Sequence, residues 1–162
     1  LSRIRLERLV EAPPHDVLEA LAADSELLNL GLDDELPLAR LMLAAYRGGV
    51  DDEGESEADA LAIVRDTFDG RVGPYLPHCS FARWRGDAMI AAAVVTVFQG
   101  MPMIAFCVTD PAHQRQGHGE ALITAAVTGL QEAGWAKVQL FVNPLNLRAI
   151  RLYRRLGFSE AA

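Results

Sequence analysis

The sequence predicts one α/β domain. Three observations carry that expectation. Extended and helical patterns alternate along all 162 residues, with no linker, internal repeat or low-complexity tract between them. Residues 79–109 look like an antiparallel meander of apolar strands joined by tight turns. A glycine-bearing turn, Gln114-Arg115-Gln116-Gly117-His118-Gly119, then leads from the last strand straight into a helical pattern. A chain of this length buries a substantial core, so residues 1–162 are read as a single domain.

Residues 4–9 can form a first strand. Pro13-Pro14-His15-Asp16 looks like a helix start, with Val17, Leu18, Leu21 and Ala22 on one face. Asp33-Asp34-Glu35 precedes a second helix, in which Leu38, Leu41, Met42 and Ala45 recur at helical spacing. Residues 47–55 make an acidic, glycine-bearing loop. Ser56, with Asp59 three residues on, sets up a capping-box-like start to a third helix. That helix runs to about Asp69, burying Leu61, Val64 and Phe68, and Gly70 ends it. Beyond Pro74 and Pro77, strands are expected at 79–84 and 89–98, separated by the hairpin signal Arg85-Gly86-Asp87. Gln99-Gly100 turns the chain into a strand at 101–108. Residues 117–133 are helical, with Leu122, Ala126 and Leu130 four apart and Gly134 as the stop. Residues 137–142 alternate, placing Val138, Leu140 and Val142 on one face. A last helix spans 146–156. Gly157 closes it, and Phe158 is available for the apolar contact of a Schellman cap.

Two constellations carry chemistry. The first is the glycine turn. First-turn N–H groups of a helix have no intrahelical partner, and the macrodipole places about half a positive charge there. Gly117 and Gly119 let the backbone approach a bulky anion, and Arg115 adds charge from the rim. A pyrophosphate is the expected guest. A dinucleotide-binding fold would want a third glycine where Leu122 stands, and a P-loop would want Lys followed by Ser or Thr. Neither is present. The second constellation is the helix opened by Asn146. Asn146, Ala149, Ile150 and Tyr153 share one face about two turns long, with an amide at one end, a phenol at the other and small Ala149 between. Taken alone, Asn146 reads equally as an N-cap and Tyr153 as a core aromatic.

Together the two constellations resemble the GNAT superfamily of acetyl-CoA-dependent N-acetyltransferases. Gln114-Arg115-Gln116-Gly117-His118-Gly119 is similar to that family's pyrophosphate signature, and Asn146 to Phe158 to its C-terminal cofactor motif. The resemblance covers residues 87–158 and, with the preceding helices, most of the chain. It implies a splayed, mostly antiparallel sheet with helices on both faces. It implies transfer of an acetyl group from acetyl-CoA to a primary amine, by direct attack in a ternary complex. Backbone groups of Cys107, Val108 and Thr109 would pair with the pantetheine arm. N–H groups from Gln114 through Glu120, including Gln116 and His118, would hold the pyrophosphate. Asn146 would bind the cofactor arm, beside Ala149, and Tyr153 would lie near its sulfur as the general acid. The N–H of Val108 is the expected oxyanion donor.

The base is open. The strand at 101–109 contains no carboxylate. Glu53, Glu55, His78, Asp110 and a water chain are the candidates. The chain also stops four residues beyond Phe158, where the family normally continues with a strand. The acceptor wall there is expected to be open, completed by a second subunit as in a homodimer, or outside this sequence. His118 is read as exposed. The histidines show no metal-ligand spacing, so no metal is expected.

Composition sets the remaining bounds. A net charge of −7 argues against general nucleic-acid binding and fits a cationic amine better. No apolar run approaches the roughly 18 residues that span a bilayer, so no membrane partner is expected. Two cysteines without a C-x-x-C partner read as buried thiols in a reducing cytoplasm. The alternative function is an acyl-CoA-binding regulatory or interaction module without catalysis, favoured by the missing base.

Overall fold

The strand Ala88–Phe98 is an almost unbroken apolar run because both of its faces are covered. In the computed structural model, which describes residues 2–161, it is an interior strand of an open sheet. The elements are β1 (Ile4–Leu9), α1 (His15–Ala23), β2 (Leu27–Asn29), α2 (Glu35–Tyr46), α3 (Glu57–Phe68), β3 (Phe81–Arg85), β4 (Ala88–Phe98), β5 (Met101–Thr109), α4 (His118–Glu132), β6 (Lys137–Val142), α5 (Leu147–Arg155) and β7 (Ser159–Glu160). The seven strands lie in the order β2-β3-β4-β5-β6-β1-β7. Every pairing is antiparallel except β5 with β6.

One face of the sheet packs against α2 and α3, where Leu38, Met42, Val64 and Phe68 meet Ala92, Val94 and Val108. The other packs against α4 and α5, around Ile123, Leu130, Val138, Leu140 and Ile150. Ala91 and Ala93 of β4 are small enough for Leu122 of α4 to lie directly on them. At Gly129 the approach is closest, since a Cβ there would sit 2.7 Å from the His78 carbonyl oxygen. α4 therefore rests on the one-turn helix Pro77–Cys79, and β3 starts at Phe81 rather than at residue 79. α1 buries no residue, although its apolar spacing predicted a covered face.

The sheet is clamped at one end of the β5–β6 pair and open at the other. Gln139, 2% exposed, donates to the Phe98 and Met101 carbonyls at 2.8 and 3.3 Å. Its Oε1 accepts from Arg5 Nε at 2.9 Å. Met103 opposite Gln139 is the one registered contact between β5 and β6. Immediately beyond it, the β4–β5 register shifts and Ala105 has no partner. A bulge of this kind bends a strand out of line. From there β5 and β6 diverge toward Thr109 and Val142.

The far edge of β6 is paired along its length by the N-terminal strand β1, from Ile4 opposite Val142 to Leu9 opposite Lys137. β7 is two residues long and pairs with β1 at Leu6 and Glu7. The sheet beyond β6 is thus built chiefly by residues 4–9, with a short strand after Phe158 added at its edge.

Candidate active site

The split between β5 and β6 exposes one set of backbone groups on β5, and the register says which. Asp110 donates to the Ile90 carbonyl at 2.8 Å, and the pairing from Ala91 opposite Thr109 to Ala93 opposite Cys107 is regular. Amides two residues apart in a strand point the same way. The Val108 N–H, two before Asp110, is therefore committed to β4, and its side chain is buried against the α2–α3 layer. The groups facing the split belong to Cys107 and Thr109. The Val108 N–H, expected to donate into the site, is therefore not among the groups that face the split. Sequence alternation gives pairs two apart but not which pair faces inward.

Beyond Thr109, Asp110 accepts from the Ala112 N–H at 2.8 Å and so shapes the loop. The glycine turn follows. Arg115 has φ 64° and Gly117 φ 82°, both left-handed. Alternation of this kind converges successive N–H groups on a concavity that suits an anion. A non-glycine residue held there costs about 1 kcal/mol or more, which marks Arg115 as a shaped position. Nothing lies within 4 Å of a Cβ at Gly117, whereas a Cβ at Gly119 would meet Leu152 Cδ2 at 3.2 Å. The first glycine serves the turn, and the second lets α5 pack on α4. Gln114 accepts from Arg148 Nη1 at 2.7 Å, tying the turn to α5. Glu120 faces Arg155 across 3.8 Å at the surface.

His118 is 5% exposed, contrary to the exposed position expected for it. Its Nδ1 lies 2.9 Å from Arg83 Nη1 and its Nε2 3.2 Å from Gln116 Oε1. Arg83 also pairs with Asp24 at the C-terminal end of α1. An Arg donor makes Nδ1 the acceptor, so the ring is neutral with its proton on Nε2. Burial, then the Arg83 charge, hold the imidazole below its ordinary pKa. The chain Asp24–Arg83–His118–Gln116 braces the glycine turn against the sheet. A single histidine between two glycines carried no sequence signal for it.

Two cavities meet over the split. One, of about 960 Å³, runs from the glycine turn past Arg148 and Arg151. The other, of about 390 Å³, lies between the diverging strands and α2, with Met42, Phe106 and Phe141 among its walls. Six residues line both: Tyr46, Asp51, Cys107, Asn146, Ala149 and Tyr153. Asn146 caps α5 by accepting from the Ala149 N–H at 3.1 Å. The N-cap reading of Asn146 holds, and the cap uses only Oδ1. Tyr153 packs edge-on to Phe158 at 5.9 Å, and the Phe158 and Gly157 amides close the Schellman cap on Tyr153 and Arg154.

Burial raises the phenols of Tyr153 and Tyr46, with the Asp51 charge adding to both, and pushes the Cys107 thiol up to about 12. All three hold their protons at neutral pH. The Cys79 thiol is likewise raised, to about 11, by burial, so neither cysteine is an activated nucleophile.

Of the candidate bases, Glu53 and Glu55 line the smaller cavity. His78 is exposed and lines neither cavity, with only its carbonyl against α4, and Asp110 is engaged in its loop. The acidic loop is itself built. Asp52 accepts from the Gly48 and Gly54 amides at 2.9 Å each, which holds its carboxyl below the usual range. Asn143 Nδ2 reaches the Val50 carbonyl, and Arg3 pairs with Asp51 at 3.1 Å. Among the described residues, no three His, Cys, Asp or Glu side chains are grouped to hold a metal. No helix among them is long and apolar enough to cross a membrane.

A sheet split at a bulge, with a left-handed glycine turn at its open end, offers a long cleft that ends in an anion-binding turn. The family model described as acetyltransferase (GNAT) matches residues 41–158, and the chain belongs to that family. It is 33% identical over 107 residues to the ribosomal protein bS18-alanine N-acetyltransferase of Escherichia coli (strain K12), covering 66% of this chain and 71% of that protein. It is 29% identical over 138 residues to the mycothiol acetyltransferase of Catenulispora acidiphila, spanning 74% of this chain but 44% of that one. The solved structure of the Escherichia coli S18-alanine enzyme superposes with a TM-score of 0.66 at 26% identity, over 84% of this chain and 78% of that chain. A PaiA N-acetyltransferase from Thermoplasma acidophilum, in complex with coenzyme A, shares the fold with a TM-score of 0.64 at 15% identity, over 83% and 89% of the two chains.

Proposed function

We propose that this protein transfers an acetyl group from acetyl-CoA to a primary amine, by direct attack in a ternary complex. The observation that carries this reading is the meeting of the two cavities at Cys107 and Tyr153. One cavity ends in an anion cradle suited to the donor's pyrophosphate. The other opens beside an acidic loop suited to a cationic acceptor.

Acetyl-CoA supplies an activated acetyl group; everything else is done by the chain. The turn amides from Gln114 to Glu120, with Gln116, Gly117 and His118 central, hold the pyrophosphate. Arg115, Arg148 and Arg151 stand at the rim of that cavity. Backbone groups of Cys107 and Thr109 pair with the pantetheine arm as an added strand would. The N–H of Cys107, a residue lining both cavities, is the donor to the carbonyl oxygen as charge develops there. Asn146 Nδ2 orients the arm, and Ala149 leaves room for it.

Tyr153 gives its proton to the departing sulfur. Burial raises the phenol and the Cys107 thiol alike. A leaving thiolate seated among them is pushed in the same direction, toward taking up the proton.

The acceptor side is lined by Glu53, Glu55 and Asp51, and a peptide amine of the kind the Escherichia coli relative is named for belongs in any panel. Reversing the charge of Glu53 and Glu55 raises the acceptor KM and leaves CoA affinity unchanged. Unaltered acceptor kinetics would remove the acidic lip from the account. Unpaired Cys79 and Cys107 accord with a cytoplasmic setting.

The deciding assay follows thiol release from acetyl-CoA across a panel of amines. Turnover with at least one primary amine is expected. Tight CoA binding without turnover supports the second reading, a non-catalytic acyl-CoA-binding module, which the lack of a carboxylate on β5 favours.

A further inference from the structure

Resting on that function, we infer that Asp51 is the residue that receives the acceptor ammonium and removes its proton. Among the described residues, Asp51 is the one carboxylate lining both cavities, where donor and acceptor have to meet. Glu53 and Glu55 line only the acceptor side, and Glu120 only the donor side. Asp51 is also held in place. Its loop is closed by Asp52 on Gly48 and Gly54 and tied to the end of β6 through Asn143. Its side chain is 17% exposed and meets the half-exposed guanidinium of Arg3 at 3.1 Å.

That ion pair points to the chemistry of the guest. Arg3 places a cation at the mouth of the acceptor cavity, against the carboxylate nearest the reaction centre. A protonated amine is a smaller cation that fits the same carboxylate, and it displaces Arg3 toward solvent on entering. The groups facing Asp51 are Arg3 ahead of β1, Tyr46 on α2, Cys107 on β5, Tyr153 on α5, and Glu53 and Glu55 on its own loop.

The ammonium loses one proton to Asp51, which passes it to water at the mouth. The free amine forms the C–N bond as the C–S bond breaks. The second nitrogen proton replaces the one that Tyr153 gives to sulfur. Amide, thiol and one solvent proton are the products. A lysine-like amine is free only to about one part in a few thousand at neutral pH, so such a base contributes on the order of 100-fold.

The test compares wild type, Asp51→Asn, Asp51→Glu, Glu55→Gln and Arg3→Gln. Acceptors are an alanine-initiated tripeptide, a lysine peptide and spermidine, with thiol release followed from pH 6 to 10. Asp51→Asn should lose about 100-fold in acceptor kcat/KM at neutral pH, with the loss shrinking as the amine deprotonates unaided. CoA affinity and Tm should stay near wild type. Asp51→Glu should recover part of the rate, and Arg3→Gln should lower the acceptor KM while sparing the donor KM. A loss under threefold, a loss independent of pH, or the same profile in Glu55→Gln overturns the assignment while leaving acetyl transfer intact. No thiol release by the wild type with any amine overturns both readings.

Discussion

At Gly117 the backbone sits at φ 82° in open space, so an added methyl would meet no atom and would still strain the chain. An L-residue in that region costs about 1–2 kcal/mol. Gly117→Ala should weaken CoA binding several-fold by opposing the turn the anion needs, measured by calorimetry. Gly119→Ala should instead lower Tm, because Leu152 Cδ2 must give way at 3.2 Å while the cradle amides keep their shape. Equal effects of the two substitutions on affinity and stability would contradict this division. The glycine pair was legible in the sequence, but its separate duties were not, since packing against Leu152 joins positions 33 residues apart. Tyr153→Phe should reduce kcat by about 10²–10⁴ with the donor Kd near wild type, as expected for a lost proton donor.

Helix ends were the most readable features, because their signals are local. Ser56 and Asp59 exchange hydrogen bonds at 3.1 and 2.9 Å in the capping box their spacing predicts, and Ser56→Ala should cost about 1 kcal/mol by chemical denaturation. Strands of two or three residues, such as Leu27–Asn29 and Ser159–Glu160, have no period to read and exist only through their neighbours. The start of α4 combines both kinds of signal. Its glycine turn was visible, whereas its brace through His118, Arg83 and Asp24 depends on β3 and α1 coming together. Folding lowers the His118 pKa, so the brace contributes its full stability above the ordinary value of 6.5 and loses it as pH falls below. Tm should drop between about pH 7 and pH 5, and His118→Gln should flatten that drop. A wild-type Tm that rises on acidification would reverse the sign.

Over the whole molecule, charge and sheet order divide the labour. The net charge is −7, yet Arg115, Arg148 and Arg151 collect at the donor cavity while Asp51, Glu53 and Glu55 collect at the acceptor cavity. Donor affinity should accordingly fall as salt rises. The meander β3–β4–β5 was readable from its turns. The insertion of β1 between β6 and β7 was not, since pairing residues about 130 positions apart leaves no local trace. That order places residues 4–9 beside β6 and leaves the split between β5 and β6 as the opening the donor enters. Amide hydrogen exchange at Cys107, Val108 and Thr109, with and without acetyl-CoA, tests this most directly. Cys107 and Thr109 should exchange freely in the unliganded protein and become protected on donor binding, with Val108 protected throughout. Protection that appears at Val108 instead, or no change at any of the three, would contradict the account.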